Sequence, residues 1–504
     1  MKWFFYALLF FAISCSPPPP PPSNTLRISF SVYPSTLDPR KGGDFISSTM
    51  IGLLFEGLMR CLPDGSVEPG LAERVELSAD QTIYTFYLRE GYWCDGEPVT
   101  AYDFERSWKT ICDPTFPALC SYLFYPILNA EAALQGVKSP EEVGVRALDS
   151  HTLEVELERP TPYFLSLTAF PAFLPAGVGN GPYLIERIQP QAEIILRKNP
   201  TFWNTENIRI ERIHISIIPD ENTALQCFER GELDWIGGAL SPIPPDALPS
   251  QEEHLQYFPM AASTFCAFNT TAYPFHNKHL RKAFSLAINR TEIAEKILPA
   301  HQIPASRCIP PALCNGKNRS LIPSFDPESA REHLQKGLQE LGKKEIGPIV
   351  LHFRSGAIDR TLVQALQRQW KEVLGVEVAL EQTDFKTHKD LLHRRGYQIA
   401  LAYWISQHND PINLLERFKS GRVAKNYAGW EDPHFTRLIN DAEKTSDADK
   451  RTELLLQAEE ELMDSMPIAP IYHWSNPTLC NPRVKNMHTT PSGGVLFERC
   501  WLDP

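Results

Sequence analysis

Proline sets the first limit on what this chain can become. It occupies 44 of the 504 positions, roughly one in eleven against a usual one in twenty. Each proline removes a backbone donor and fixes φ at about −65°. A bundle of long, unbroken helices is therefore excluded, and stiff connections and edge strands are favoured. The apolar share of 43% and the charged share of 22% fit a folded globular protein and exclude general disorder. The length suits about three domains of roughly 150 residues. Formal net charge is −12, so no broad basic face is expected for a nucleic-acid backbone.

The N-terminus carries an address. Lys2 precedes an eleven-residue apolar run, Trp3 to Ile13. A membrane-spanning helix needs about 20 residues, so this run has the length of a signal-peptide core instead. Ser14, Cys15 and Ser16 follow, then six prolines, Pro17 to Pro22. Ala12-Ile13-Ser14-Cys15 resembles a bacterial lipoprotein signal, in which a Cys after small residues is lipidated; Ala12 stands where Leu is usual. The resemblance implies a signal peptide over 1–14, a lipidated Cys15, and a proline-rich spacer over 15–25. At about 3.1 Å per residue, polyproline would hold a body off a membrane. An ordinary secretory signal is the alternative. Ten cysteines remain, with Cys112/Cys120 and Cys308/Cys314 the nearest pairs and no CxxC. An exported chain could pair some of them, or they could serve as small buried hydrophobes.

Along the body, strands and helices mix. Leu26 to Val32 and Thr82 to Leu88 alternate as strands, the latter with Tyr84, Phe86 and Leu88 on one face. Leu153, Val155 and Leu157 alternate with glutamates after an Asp149-Ser150 turn, and Ile213, Ile215 and Ile217 mark another strand. Helical spacing dominates later: Leu280, Phe284 and Ile288, then Leu334, Leu338 and Leu341 behind an Asp326-Pro327 start. Leu362, Leu366, Trp370, Val373 and Leu374 form a stripe that Gly375 ends. Val376, Val378 and Leu380, and then the apolar run Ile399 to Ile405, read as strands. A late helix carries Leu454, Leu455, Ala458 and Leu462. A mostly β first half thus precedes an α/β second half.

A search for chemistry finds little. HExxH, GxSxG, P-loop and GxGxxG motifs do not occur, and the 14 histidines lack metal-ligand spacing. His276-Asn277-Lys278-His279 reads as an exposed turn. Glu252-Glu253 and Glu459 to Glu461 read as solvated acidic faces. No nucleophile, base and orienting group assemble, which favours binding over catalysis, with no metal and no cofactor.

Tyr84 to Lys109, running through Glu90-Gly91-Tyr92-Trp93-Cys94-Asp95-Gly96 and Tyr102-Asp103-Phe104, resembles the signature of the family 5 extracellular solute-binding proteins. These are peptide receptors of ABC importers. Other landmarks follow in order: Leu37-Asp38-Pro39, Leu54-Phe55-Glu56-Gly57-Leu58, Pro69-Gly70-Leu71-Ala72-Glu73, Gly181-Pro182-Tyr183, Asn199 to Trp203, Gly231-Glu232-Leu233-Asp234 and Arg281 to Arg290. The likeness covers about residues 26–504. Locally, Asp95-Gly96 is a turn, and Thr100 with Asp103 starts a helix.

The resemblance implies an α/β, two-lobed periplasmic binding protein fold of type II, in its three-domain peptide-receptor variety, with a two-strand hinge. It divides the chain into a discontinuous domain I (26–54, 177–262 and 479–504), domain II (55–176) and domain III (263–478). It implies an extracytoplasmic lipoprotein, periplasmic and anchored to a bacterial membrane. Such a receptor closes as a monomer over an oligopeptide and delivers it to an ABC permease with its ATPase subunits. The peptide would lie as an added strand, bound through its backbone.

Carried onto this chain, the ligand-binding segments are Gly43-Asp44-Phe45 and Tyr403-Trp404-Ile405-Ser406-Gln407, ahead of Asp410. Phe385, His393, Arg394 and Arg395 are further candidates, the arginines for a ligand carboxylate. Gln407 departs from the family, where an Asp pairs with the ligand's α-amine. Either Asp410 or Asp44 replaces that charge, or the ligand lacks a free amine, as modified or cell-wall peptides do. The loop between Pro162 and Gly181 is also shorter than in long peptide receptors. Alternatives are a family 5 receptor for a metal chelate, haem or similar ligand, a secreted enzyme, and a surface adhesin.

Overall fold

The computed structural model describes residues 24–299, 301–314 and 319–503. Cys15, the apolar run and residues 15–23 of the spacer lie outside the described residues, and Thr25, placed in the spacer by the sequence, is the first residue of a strand. No helix among the described residues is long and apolar enough to cross a membrane.

The chain opens on β1 (Thr25–Phe30), which is almost wholly buried, and α1 (Phe45–Leu54), capped by the Asp44 side chain on Ser47 N. β2 (Ala72–Leu77), β3 (Ile83–Leu88), β4 (Val145–Asp149) and β5 (Thr152–Glu156) form a separate antiparallel sheet in the order β2-β3-β5-β4. Its inner face presents Tyr84, Phe86, Leu88, Leu153 and Val155. α2 (Ala101–Ile111) starts at a Thr100/Asp103 capping box and buries Phe104, Trp108 and Ile111. Trp108 Nε1 donates to Phe173 O at 2.8 Å, which satisfies the one polar atom of a fully buried ring.

A larger, eleven-stranded sheet runs through the molecule. Its first contributions are β6 (Tyr183–Gln189), β7 (Glu193–Lys198), β8 (Arg212–Ile217) and β9 (Trp235–Gly237), which join β1. β1 lies parallel to both β8 and β9, and strands paired in parallel are usually buried on both faces. Then comes β10 (Leu255–Phe268). The chain continues through α3 (Lys278–Leu286), α4 (Pro327–Glu340), β11 (Ile349–Arg354), α5 (Ala357–Leu374) and β12 (Val378–Thr383). After these come α6 (Phe385–Arg394), β13 (Ile399–Ile405), α7 (Pro433–Lys444), α8 (Ala448–Ser465) and β14 (Ile468–Cys480). The sheet order is β12-β11-β13-β10-β14-β9-β1-β8-β7-β6, and the two-residue strand Ile303–Pro304 pairs with β14 off this path as the eleventh.

β10 and β14, of 14 and 13 residues, make the two lobes one molecule. Leu255–Pro259 pairs with Ser475–Leu479, where β14 also meets β9. Ser263–Ala267 pairs with Ile468–His473, where β10 also meets β13. The ladder slips between Pro259 and Ser263. An irregular crossing of two strands can bend without breaking either lobe's ladder.

Asp234 ties the ends of the chain together. Its buried carboxylate accepts from Arg27 N, Nε and Nη2 and from Arg483 Nε and Nη2, at 2.7–3.0 Å. Burial pushes this carboxyl up, but the two guanidiniums outweigh it and hold it below the usual range.

Three sequence readings change. Leu334, Leu338 and Leu341 are only half-buried; the residues that α4 buries are Ala330 and Gly337. A Cβ on Gly337 would stand 2.7 Å from Leu280 Cδ2, so the small residue sets how closely α4 approaches α3. His276 to His279 is a helix start rather than a turn, with Asn277 accepting from Leu280 N. Glu459 is not a solvated acid but 0% exposed and bound to Arg307. The ten cysteines among the described residues are unpaired, and six of them are buried.

Candidate functional site

A cavity of about 390 Å³ lies where the start of α1, the exit of β13, Ala261 of β10 and the segment 490–498 converge. Gly43, Asp44 and Phe45 line one side, and Ile405, Ser406 and Gln407 another.

Local chemistry shapes both segments, and Gly43-Asp44-Phe45 is a helix start rather than an extended segment, with Phe45 the first residue of α1. Asp44 is an N-cap in β conformation; its carboxylate accepts from Ser47 N at 2.8 Å and Ser35 Oγ at 2.7 Å. Burial pushes this carboxyl up, and those donors more than offset it, so it stays ionised below the ordinary range. Ile405 still pairs with Ala262 of β10, and Ser406 N donates to Ala261 O at 2.7 Å. The other edge of β13 pairs with β11 only at Ile399 and Ala400. From Tyr403 to Ile405 no strand among the described residues is hydrogen-bonded to that edge. Backbone donors and acceptors there are available to an added strand.

Beyond the strand, three consecutive residues bridge the lobes. Gln407 Nε2 donates to the Tyr122 hydroxyl, and Gln407 Oε1 has no partner among the described residues. His408 stacks on Tyr163, centroids 4.6 Å apart and 5° from parallel. Asn409 Nδ2 donates to Asp64 O at 3.3 Å. Asn413 fixes the state of His408. Its Oδ1 accepts from Gln407 N and Ser406 Oγ, so its Nδ2 donates to His408 Nε2 at 3.1 Å. The ring must accept there and carries its proton on Nδ1. Burial in the first place draws this imidazole down to about 4, in agreement with the neutral form.

The remaining sequence candidates stand elsewhere. Trp404 is a core residue, its ring 4.3 Å from Phe265 and 5.4 Å from Phe418. The Tyr403 hydroxyl accepts from Arg354 at 2.7 Å, away from the cavity lining. Neither residue is part of the cavity lining. Phe385 is 59% exposed at the first position of α6. His393 lies over Tyr427 at 6.0 Å, and Arg394 bonds back to Asp390 O. Arg395 caps α6 in left-handed conformation, its guanidinium bound to the carbonyls of Asn426 and Gly421. Asp410 forms a bidentate pair with Arg451 at 2.7 and 2.9 Å and caps Ile412 N. Its charge is used, so of the two acids named as replacements only Asp44 lines the cavity.

Sequence reasoning passed over the cavity's other charged wall. Arg60 Nε lies 3.5 Å from Glu56, and Arg60 Nη2 lies 3.6 Å from Glu498. All three line the cavity with Cys61. Burial pushes both carboxyls up. Glu56 falls within a family landmark and was legible as such; Glu498 arrives from the far end of the chain, with no local signal.

A family model described as bacterial extracellular solute-binding proteins, family 5 Middle, matches residues 66–426. The oligopeptide-binding protein OppA of Bacillus subtilis (strain 168) is 35% identical, over 95% of this chain and 92% of that protein. The periplasmic OppA of Salmonella typhimurium is 31% identical, over 89% and 87%. Among solved structures, the murein tripeptide binding protein MppA in its unliganded open form superposes with a TM-score of 0.84 at 25% identity, covering 95% of this chain and 97% of that one. Haemophilus influenzae OppA in complex with RPPGFSPFR gives 0.75 at 25% identity, covering 95% and 99%.

Proposed function

The chain belongs to the bacterial extracellular solute-binding proteins of family 5, and from that premise we propose that it captures oligopeptides in the cavity between its lobes and delivers them to an ABC permease. The observation that carries this reading is the free edge of β13 beside the cavity, opposite Gly43 to Phe45. A peptide laid there adds one strand. Its main chain supplies affinity whatever its side chains are, which gives a receptor broad in sequence. Relatives named as oligopeptide-binding proteins support the same ligand class. Flexing at the Pro259–Ser263 slip would close the lobes and bury the guest, a shape the permease can distinguish from the empty one.

Native mass spectrometry of the protein purified from a bacterial host should show a ladder of bound peptide masses. One non-peptide mass in its place would overturn the reading.

The N-terminal sequence supports attachment through a lipidated Cys15 on the outer side of a bacterial cytoplasmic membrane or in the periplasm. Cys15→Ser should move the protein from the membrane pellet to the soluble fraction. Retention in the pellet would overturn the anchor.

A further inference from the structure

Behind Gln407, outside the cavity lining and reached through Tyr122, stand two cations that make no ion pair among the described residues. Arg417 is only 9% exposed. Its Nε donates to Asn413 O at 3.0 Å, and its guanidinium lies 5.0 Å from the Trp404 ring. Among the described residues it makes no ion pair and no other side-chain hydrogen bond. Lys425 Nζ sits 4.0 Å above the ring of Tyr122, likewise without an ion pair or hydrogen bond among the described residues. The hydroxyl of that same Tyr122 holds Gln407, which lines the cavity, as does Cys120 two residues earlier.

We infer that this cluster is a subsite for a carboxylate of the peptide ligand, held by Arg417 and Lys425 and approached past Gln407. The inference rests on the peptide reading of the cavity and names the chemistry of one end of it. The charge count supports it. Around Lys425 the charged neighbours are Arg417 and Lys389 against the single acid Glu416, and the Glu443 that also faces Glu416 is paired with Lys419. Burial above all pushes Glu416 up to about 7, so near neutrality it offsets even less. Burial, and next the charge of Arg417, pull Lys425 down to about 8; Glu416, Cys120 and Lys389 act on it more weakly. A buried cation without a counter-ion is costly, and a guanidinium fork beside an ammonium matches a carboxylate in shape and charge. The neutral amide of Gln407 fits the same picture: an acid there would pair with these cations and close the subsite.

The test is calorimetric titration of the purified protein with matched synthetic peptides. The set is penta-alanine with a free C-terminus, its C-terminal amide, and Glu/Gln twins at each position of the amidated chain. One carboxylate-bearing member should bind at least about 10-fold more tightly than its amide twin. Whether that member is the free C-terminus or a Glu identifies the source of the carboxylate. In Lys425→Gln the gap should shrink to below about threefold, with the amide twin unchanged. The gap should also narrow as the pH rises through about 8, where Lys425 loses its proton. Equal affinity of acid and amide twins throughout, or equal weakening of both in Lys425→Gln, would overturn the subsite and leave the peptide reading standing. Failure of every peptide to bind would overturn both.

Discussion

Arg307→Met should cost about 3–5 kcal/mol of unfolding free energy, read as a fall in the urea midpoint of the lobe that contains α8. Glu459 is 0% exposed. Both its oxygens accept from Arg307 Nε, at 3.2 and 3.1 Å, and Ile309 N donates to Oε1 at 2.7 Å. Methionine keeps much of the volume of the arginine stem and none of its charge. The carboxylate is then left in a dry site with one backbone donor, and burial already works against its ionised form. The double variant Arg307→Met with Glu459→Leu should recover most of the loss, because an apolar pair of similar volume has no desolvation penalty to offset. If the single variant unfolds like the parent protein, Glu459 is not held by this pair.

Gly65→Ala should weaken peptide binding by about tenfold, beside a loss of about 1–2 kcal/mol in unfolding free energy from the left-handed backbone. Gly65 has φ +83°, and a Cβ there would lie 2.4–2.7 Å from the side-chain atoms of Asn409, on the opposite lobe. The left-handed backbone costs alanine about 1–2 kcal/mol wherever the lobes stand. The collision with Asn409, in contrast, grows as they approach, so it penalises closure alone. Adding Asn409→Gly to Gly65→Ala should restore most of the affinity in a fluorescence titration. An affinity loss that persists in the double variant would mean that Gly65 acts through its own loop rather than across the cleft.

How much of this was legible beforehand depended on how far each partner lies along the chain. Ile399–Ile405 was readable to the residue because an apolar run bounded by polar segments is a local signal. So were the Thr100/Asp103 start of α2 and Gly375, which closes α5 in left-handed conformation. Glu459 failed for the opposite reason: Arg307 lies 152 residues away, and no local pattern separates a paired buried acid from a solvated one. The leucine stripe of α4 marked the helix and the face, since Leu334 and Leu341 pack partly buried against the core, but not the closest approach, which Gly337 sets. At the site, family likeness pointed to two segments, of which Gly43 to Phe45 and Ile405 to Gln407 line the cavity. It could not say that the Tyr403 hydroxyl is taken by Arg354 and that the Trp404 ring packs between Phe265 and Phe418, partners elsewhere in the chain. Asp410 looked available until Arg451 was seen to hold it.

The placement of β14 has a consequence for how the molecule comes into being. A chain emerging amino end first, from a ribosome or a translocation pore, presents β1, β8 and β9 early. The strand that must slot between β9 and β10 is Ile468–Cys480, and the clasp on Asp234 awaits Arg483. The great sheet cannot join its two halves until Ile468–Cys480 has been delivered. The separate antiparallel sheet of residues 72–156 has all its strands long before that, so the molecule is assembled lobe by lobe and clasped last.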